Sequence, residues 1–146
     1  KLMIGSTLAG LAFSNSSVAL VHGMSRPIGA FYHVPHGLSN AMLLPTVTNF
    51  SIPYAKSRYA KCAKAMGVAN NNDATDVANE KLISALYKLN KDLEVPSLQK
   101  FGVNKDFYMK NLDAMSAQAI ASGSPGNNPI VPSHNQLVSL YKEIWG

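Results

Sequence analysis

Charge is scarce in this sequence. Only 14% of its 146 residues are Asp, Glu, Lys or Arg, against about 25% in an ordinary soluble domain. Two explanations stand side by side. Either part of the surface is normally covered by another domain or subunit, or the chain folds around a small-residue-rich helical core. Cysteine is scarcer still. Cys62 is alone, which excludes an internal disulfide and fits a reducing, cytoplasmic setting. Its helical spacing from Tyr59 and Met66 makes it a buried small apolar residue, and no His neighbours it in sequence to favour a reactive thiol. Strict polar–apolar alternation is missing, so no strand is predicted. No apolar run reaches the roughly 18 uninterrupted residues of a membrane span. Thirteen Lys and Arg against eight Asp and Glu leave a net charge of +5. No Gly-aromatic RNA-binding motif or zinc-finger spacing accompanies it, and Lys56, Arg58, Lys61 and Lys64 read as one solvated helix face, so nucleic acid is not the expected partner. An initiator Met is also lacking. The start, LMIGSTLAGLAFSNSSVA after Lys1, has the outline of a signal peptide. Ser6, Ser14, Asn15, Ser16 and Ser17 break its apolar stretch, and it runs straight into another helical pattern. The expectation is a chain that starts inside a longer protein.

Helical periodicity is present almost throughout, and 146 residues suffice for one compact domain. A small-residue helix is predicted over about residues 3–13, where Gly5, Ala9, Gly10 and Ala12 allow close approach to neighbours. Asn15 or Ser16 is the expected cap of a second helix running to about Phe31. Pro35 disfavours helix through Val34, and a third helix begins near His36 with Leu38, Met42, Leu43 and Val47. A fourth follows Pro53 and ends at Gly67. Leu82, Leu86, Leu89 and Leu93 form a one-face stripe on a fifth helix. Tyr108, Leu112, Met115 and Ala119 repeat that spacing on a sixth. The Gly- and Pro-rich segment SGSPGNNPIVP is an irregular loop. Ser133 caps a last helix whose inner face carries Leu137, Leu140, Tyr141 and Ile144. The reading is an all-α bundle of about seven helices, with no domain boundary inside residues 1–146.

Chemistry concentrates between Phe13 and Pro45, which holds His22, His33 and His36 of the chain's four histidines. On one unbroken helix, His22 and His36 would stand about 21 Å apart at 1.5 Å per residue. They can share a metal only if the chain turns between them, and Pro35 supplies the break. Neutral imidazole suits zinc and divalent iron. Spacing alone leaves a plainer alternative open, with a buried, hydrogen-bonded His22 and a surface His36 near a helix end.

The wording of this stretch, VHGM then PIGAFY then PHGLSNAMLLP, closely resembles the iron-containing (group III) alcohol dehydrogenases. RYAKCAKAMGV, LYKLNKDLEVPSLQKFGV, GNNP and LVSLYKEIW continue the likeness, which covers essentially the whole chain. The resemblance implies the C-terminal helical metal and substrate domain of a dehydroquinate synthase-like fold. The N-terminal nucleotide-binding domain, with its Gly-rich turn, is absent from this sequence. It implies His22 and His36 as ligands of divalent iron or zinc, with the family's remaining Asp and His ligands upstream of Lys1. It further implies reversible oxidation of a small alcohol to an aldehyde or ketone, with the metal as Lewis acid and NAD or NADP accepting hydride, in a homo-oligomer. Phe13 matches a pocket aromatic near nicotinamide and substrate; by composition alone it is a core Phe at a helix end. Arg26 departs from the pattern, since many members carry a second His four residues after the first. Arg cannot act as a base, so Arg26 turns away, pairs with a local carboxylate, or binds an acidic group of substrate or cofactor. His33 and His134 lie off the ligand positions and read as surface or supporting residues. A maleylacetate reductase or zinc-using glycerol dehydrogenase relative is the nearest alternative, and a non-catalytic helical interaction module is the alternative of another class.

Overall fold

The computed structural model describes residues 1–146 and contains helices and turns only. Eight α-helices follow one another: α1 Leu2–Ser16, α2 Leu20–Tyr32, α3 His36–Ser51, α4 Lys56–Ala65, α5 Thr75–Asp92, α6 Leu98–Phe101, α7 Lys105–Ala121 and α8 His134–Glu143. Short 3-10 turns span Ile52–Tyr54 and Ser124–Asn127. Seven of the helices match the expected ones. The eighth, α6, is a single turn in the loop after Pro96. Ser97 caps it through its Oγ, which accepts from the Lys100 N–H, and Gly102 ends it at φ 98°.

The boundary of α2 differs from expectation. Asn15 and Ser16 do not cap it; they lie inside α1. Ser14 Oγ, Asn15 Nδ2 and Ser16 Oγ each donate to the carbonyl four residues earlier. Side chains bonded back in this way extend the helix instead of starting the next one. Ser17 then turns at φ 66°, and α2 begins at Leu20 after an uncapped Ala19. The break predicted at Pro35 is present. His33 closes α2 in the left-handed conformation and Pro35 is the N-cap of α3.

α2 lies at the centre, packed against both α3 and α7, and α8 backs α7. Leu20, Met24 and Ile28 of α2 join Leu43 and Val47 of α3, and Tyr108, Met115, Leu137 and Tyr141 of α7 and α8, in the main core. Two buried phenols stitch it. Tyr141 donates to the Met24 carbonyl at 2.9 Å, and Tyr108 donates to the Tyr141 carbonyl at 2.7 Å. Burial pushes both hydroxyls far above the usual tyrosine range, so they remain donors. A smaller cluster of Ala60, Ala63, Ala69, Ala78, Leu82 and Leu86 joins α4 to α5.

Two expected faces are corrected here. Ala60 and Ala63 form the inner side of α4, so Cys62, one residue off that face, is exposed. On α5 the buried stripe ends at Leu86; in the last turn Asn90 faces α3, and Leu89 and Leu93 are exposed.

α3 bends its hydrogen-bond ladder around Pro45, which has no N–H to give the Ala41 carbonyl. Asn90 of α5 fills that gap, donating to the Ala41 carbonyl at 2.8 Å. The substitution Asn90→Ala strips this carbonyl of its donor. It is expected to cost about 1–3 kcal/mol, read as a fall in urea midpoint at unchanged m-value.

α1 stands apart. It buries no residue, and Leu2, Met3, Ile4, Leu8 and Leu11 are all exposed. Gly5 and Gly10 meet nothing within 4 Å. Its axis turns 104° from that of α2, and no single helix of the chain is long and apolar enough to cross a membrane.

Candidate metal centre

The turn at His33–Pro35 folds the start of α3 back beside the middle of α2. His22 and His36 are thereby brought side by side, with ring centroids 5.2 Å apart and planes inclined by 56°. Two imidazoles that bind one ion through nitrogens at about 2.0–2.1 Å, with near-tetrahedral angles, place their centroids about 5 Å apart. The observed pair fits that spacing. His22 is half-buried and His36 exposed. Burial lowers the affinity of His22 for a proton, and the neighbouring His36 and Arg26 act in the same direction. A neutral imidazole is the form that donates a lone pair to a metal.

Two residues that sequence reading passed over orient His36. Ser25 Oγ donates to the His22 carbonyl at 3.2 Å and lies 3.5 Å from His36 Nδ1. Asn40 Nδ2 lies 3.1 Å from His36 Nε2. One arrangement satisfies both contacts: Nδ1–H points to Ser25, and the Nε2 lone pair accepts from Asn40. That tautomer leaves the lone pair on Nε2. Asn40 Oδ1 is buried without a partner. The signals were present in the sequence, as Ser25 is three residues after His22 and Asn40 four after His36.

Gly23, beside His22, permits a close crossing. A Cβ there would meet the Pro125 ring at 2.9 Å, so a larger residue would push away the Ser124–Asn127 turn. That turn fixes the elbow before α2. Asn127 Nδ2 donates to the Val18 carbonyl at 2.9 Å, and Asn128 Nδ2 to Ser51 Oγ at 3.0 Å. The GNNP segment, expected to be an irregular loop, ties the entry of α2 to the end of α3.

A cleft of about 460 Å³ opens at this elbow, with Phe13, Val21, His22, Asn40, Leu44 and Tyr59 in its wall. Phe13 is half-exposed at its mouth. No charged side chain lines it. Arg26 lies one turn beyond His22 on α2, exposed and in no ion pair, so the local carboxylate allowed for in the sequence is not found beside it. His33 is exposed at the end of α2. His134 opens α8, with Nε2 2.9 Å from Asp113 Oδ1. Neither joins the His22–His36 pair, and no group of three or more His, Cys, Asp or Glu side chains is placed to hold a metal ion.

Comparison with known proteins identifies the family. The chain is 34% identical to lactaldehyde reductase of Escherichia coli over 146 residues, covering 99% of the chain and 37% of that protein. It is 32% identical to the NADPH-dependent butanol dehydrogenase of Clostridium saccharobutylicum over 139 residues, covering 94% of the chain and 35% of the relative. The crystal structure of a 1,3-propanediol oxidoreductase superposes with a TM-score of 0.86 at 30% identity, over 94% of this chain and 35% of that one. The chain thus spans little more than a third of the length of these relatives. The family profile described as Fe-containing alcohol dehydrogenase family, C-terminal, matches residues 1–145, and the chain belongs to that family.

Proposed function

We propose that this chain is the metal-holding helical part of a nicotinamide-linked oxidoreductase that interconverts small alcohols with aldehydes or ketones. The observation that carries the reading is the 5.2 Å approach of His22 and His36 across the Pro35 break. In this reading the two imidazoles are ligands of divalent iron or zinc, and the ligands that complete the ion's shell come from a part of the enzyme beyond residues 1–146. The bound ion supplies Lewis-acid polarisation of the substrate oxygen.

The chain's own residues do the positioning. Ser25 holds the His36 ring so that Nε2 faces the ion. Phe13 and the uncharged cleft receive the apolar body of the substrate. The names of the relatives, lactaldehyde reductase and butanol dehydrogenase, support small hydroxy and carbonyl compounds as the substrate class. This chain builds no Gly-rich phosphate turn, so NAD or NADP is assigned to the remainder of the enzyme. No hydride step is derived from residues 1–146 alone.

The test is metal removal from the complete polypeptide. Dialysis against a chelator is expected to abolish NAD(P)H-linked reduction of a simple aldehyde. Ferrous iron or zinc is expected to restore it. Full turnover in protein shown to be metal-free would sink the reading.

A further inference from the structure

We propose that Arg26 is a specificity-determining residue that anchors an anionic group of the substrate, a carboxylate or phosphate, beside the His22–His36 pair. The inference rests on the oxidoreductase reading above and narrows its substrate class to acidic aldehydes, ketones or alcohols.

Four observations converge on it. First, Arg26 is the only charged residue on α2, and it shares the open face of that helix with His22 one turn earlier. Residues so spaced have Cβ atoms about 5–6 Å apart. Second, the Arg26 side chain is exposed, so its guanidinium is open to a ligand on that face. Third, it has no counter-ion. Lys56, Lys81 and Lys88 each meet an aspartate, but Arg26 meets none. No Asp or Glu occurs in the sequence before Asp73, so the segment that builds this face has no carboxylate to offer. Fourth, the adjacent cleft carries no charged side chain. It suits the apolar part of a substrate and offers an anion no charged partner of its own, while Arg26 lies one turn beyond the cleft-lining His22 on α2.

The choice of residue fits the task. A guanidinium stays protonated at any working pH and presents a planar fork of donors to two oxygens at once. Set near a divalent cation, it adds like charge to like charge. An anion between the two relieves that repulsion, so a substrate carrying its own negative group is bound better than a neutral one of the same size. The substrate's carbonyl or hydroxyl end would then be held toward the His22–His36 pair and its anionic end on Arg26.

The experiment uses the complete metal-loaded polypeptide. Butanal and 4-oxobutanoate share a four-carbon chain and an aldehyde and differ in a terminal carboxylate; glycolaldehyde phosphate serves as the phosphate arm. The wild-type enzyme is expected to favour one or both anionic aldehydes in kcat/KM. Arg26→Gln is expected to lower that preference about ten- to hundredfold, as loss of a charge-assisted hydrogen-bonded pair does. The loss should fall mainly in KM, with butanal changed by less than about twofold and Arg26→Lys recovering part of it. Which anionic aldehyde responds identifies the group. Binding of succinate, which undergoes no reduction, gives a second readout by calorimetry. Its Kd should weaken in Arg26→Gln by a similar factor.

An unchanged preference, or succinate binding indifferent to Arg26, overturns the proposal. So does an equal fall with all aldehydes, which would mean that Arg26 pairs with a carboxylate elsewhere in the protein. Metal-dependent turnover of butanal without acid preference would remove the Arg26 role and leave the oxidoreductase reading intact. Absence of turnover with every aldehyde would count against the latter, while the succinate measurement still decides the former.

Discussion

Replacing His22 or His36 with alanine in the complete enzyme is expected to lower kcat/KM about a thousandfold or more and to empty the metal site. Polarisation of a substrate oxygen by a bound ion contributes several kcal/mol to the barrier, and each ~1.4 kcal/mol is a factor of ten in rate. Losing one imidazole removes a direct ligand, a larger change than the ten- to hundredfold usually seen for supporting residues. The fold should survive. His36 is exposed and His22 half-buried, and the core around Leu20, Met24 and Ile28 lies on the opposite face of α2. His134→Ala provides the control. His134 is separate from the pair, at the start of α8 and paired with Asp113 of α7, and a rate within about twofold of the parent is expected, as for surface substitutions generally. Metal content per chain and steady-state kinetics, measured together, check the prediction. A His22→Ala enzyme that keeps its metal and its rate would remove the imidazole pair from the mechanism.

What could be read from the sequence was local. Pro35 disfavours helix through Val34, so a break between His22 and His36 is expected from the chain alone, and the two rings do meet. The inner faces of α7 and α8 follow their periodicity fully, with Tyr108, Leu112, Met115, Ala119, Leu137, Leu140, Tyr141 and Ile144 all buried. The misread features depend on what lies across the interface. Leu89 and Leu93 continue the pattern of Leu82 and Leu86, yet the last turn of α5 meets α3 at Asn90 and leaves both leucines exposed. Cys62 has helical spacing from two apolar residues, but α5 approaches α4 along Ala60 and Ala63. The donor that completes the ladder at Pro45 is Asn90, 49 positions away from Ala41, and no local pattern announces it. The same holds for Asn127 and Asn128, whose bonds to Val18 and Ser51 span most of the chain. The polar shell of His36 is an intermediate case. Ser25 and Asn40 are near their histidines in sequence, but their role becomes visible only when the two helices are set side by side.

Taken alone, the 146-residue chain is expected to show no nicotinamide-linked turnover and to bind zinc or ferrous iron more weakly than micromolar. Catalytic zinc sites are held by three protein ligands and structural ones by four. Here two imidazoles converge, and no third His, Cys, Asp or Glu joins them. A cation bound by that pair keeps most of its water and gains little over free imidazole in solution. The nearby Arg26 charge opposes binding further. His36 is itself exposed, so water reaches a metal held there. Zinc titration of the isolated chain, followed by calorimetry or by competition with a chelating dye, measures the affinity directly. His22→Ala serves as the baseline for nonspecific binding. Saturation at one zinc per chain in the micromolar range, lost in that variant, would mean that residues 1–146 complete the coordination shell by themselves, and the assignment of further ligands outside this chain would fall.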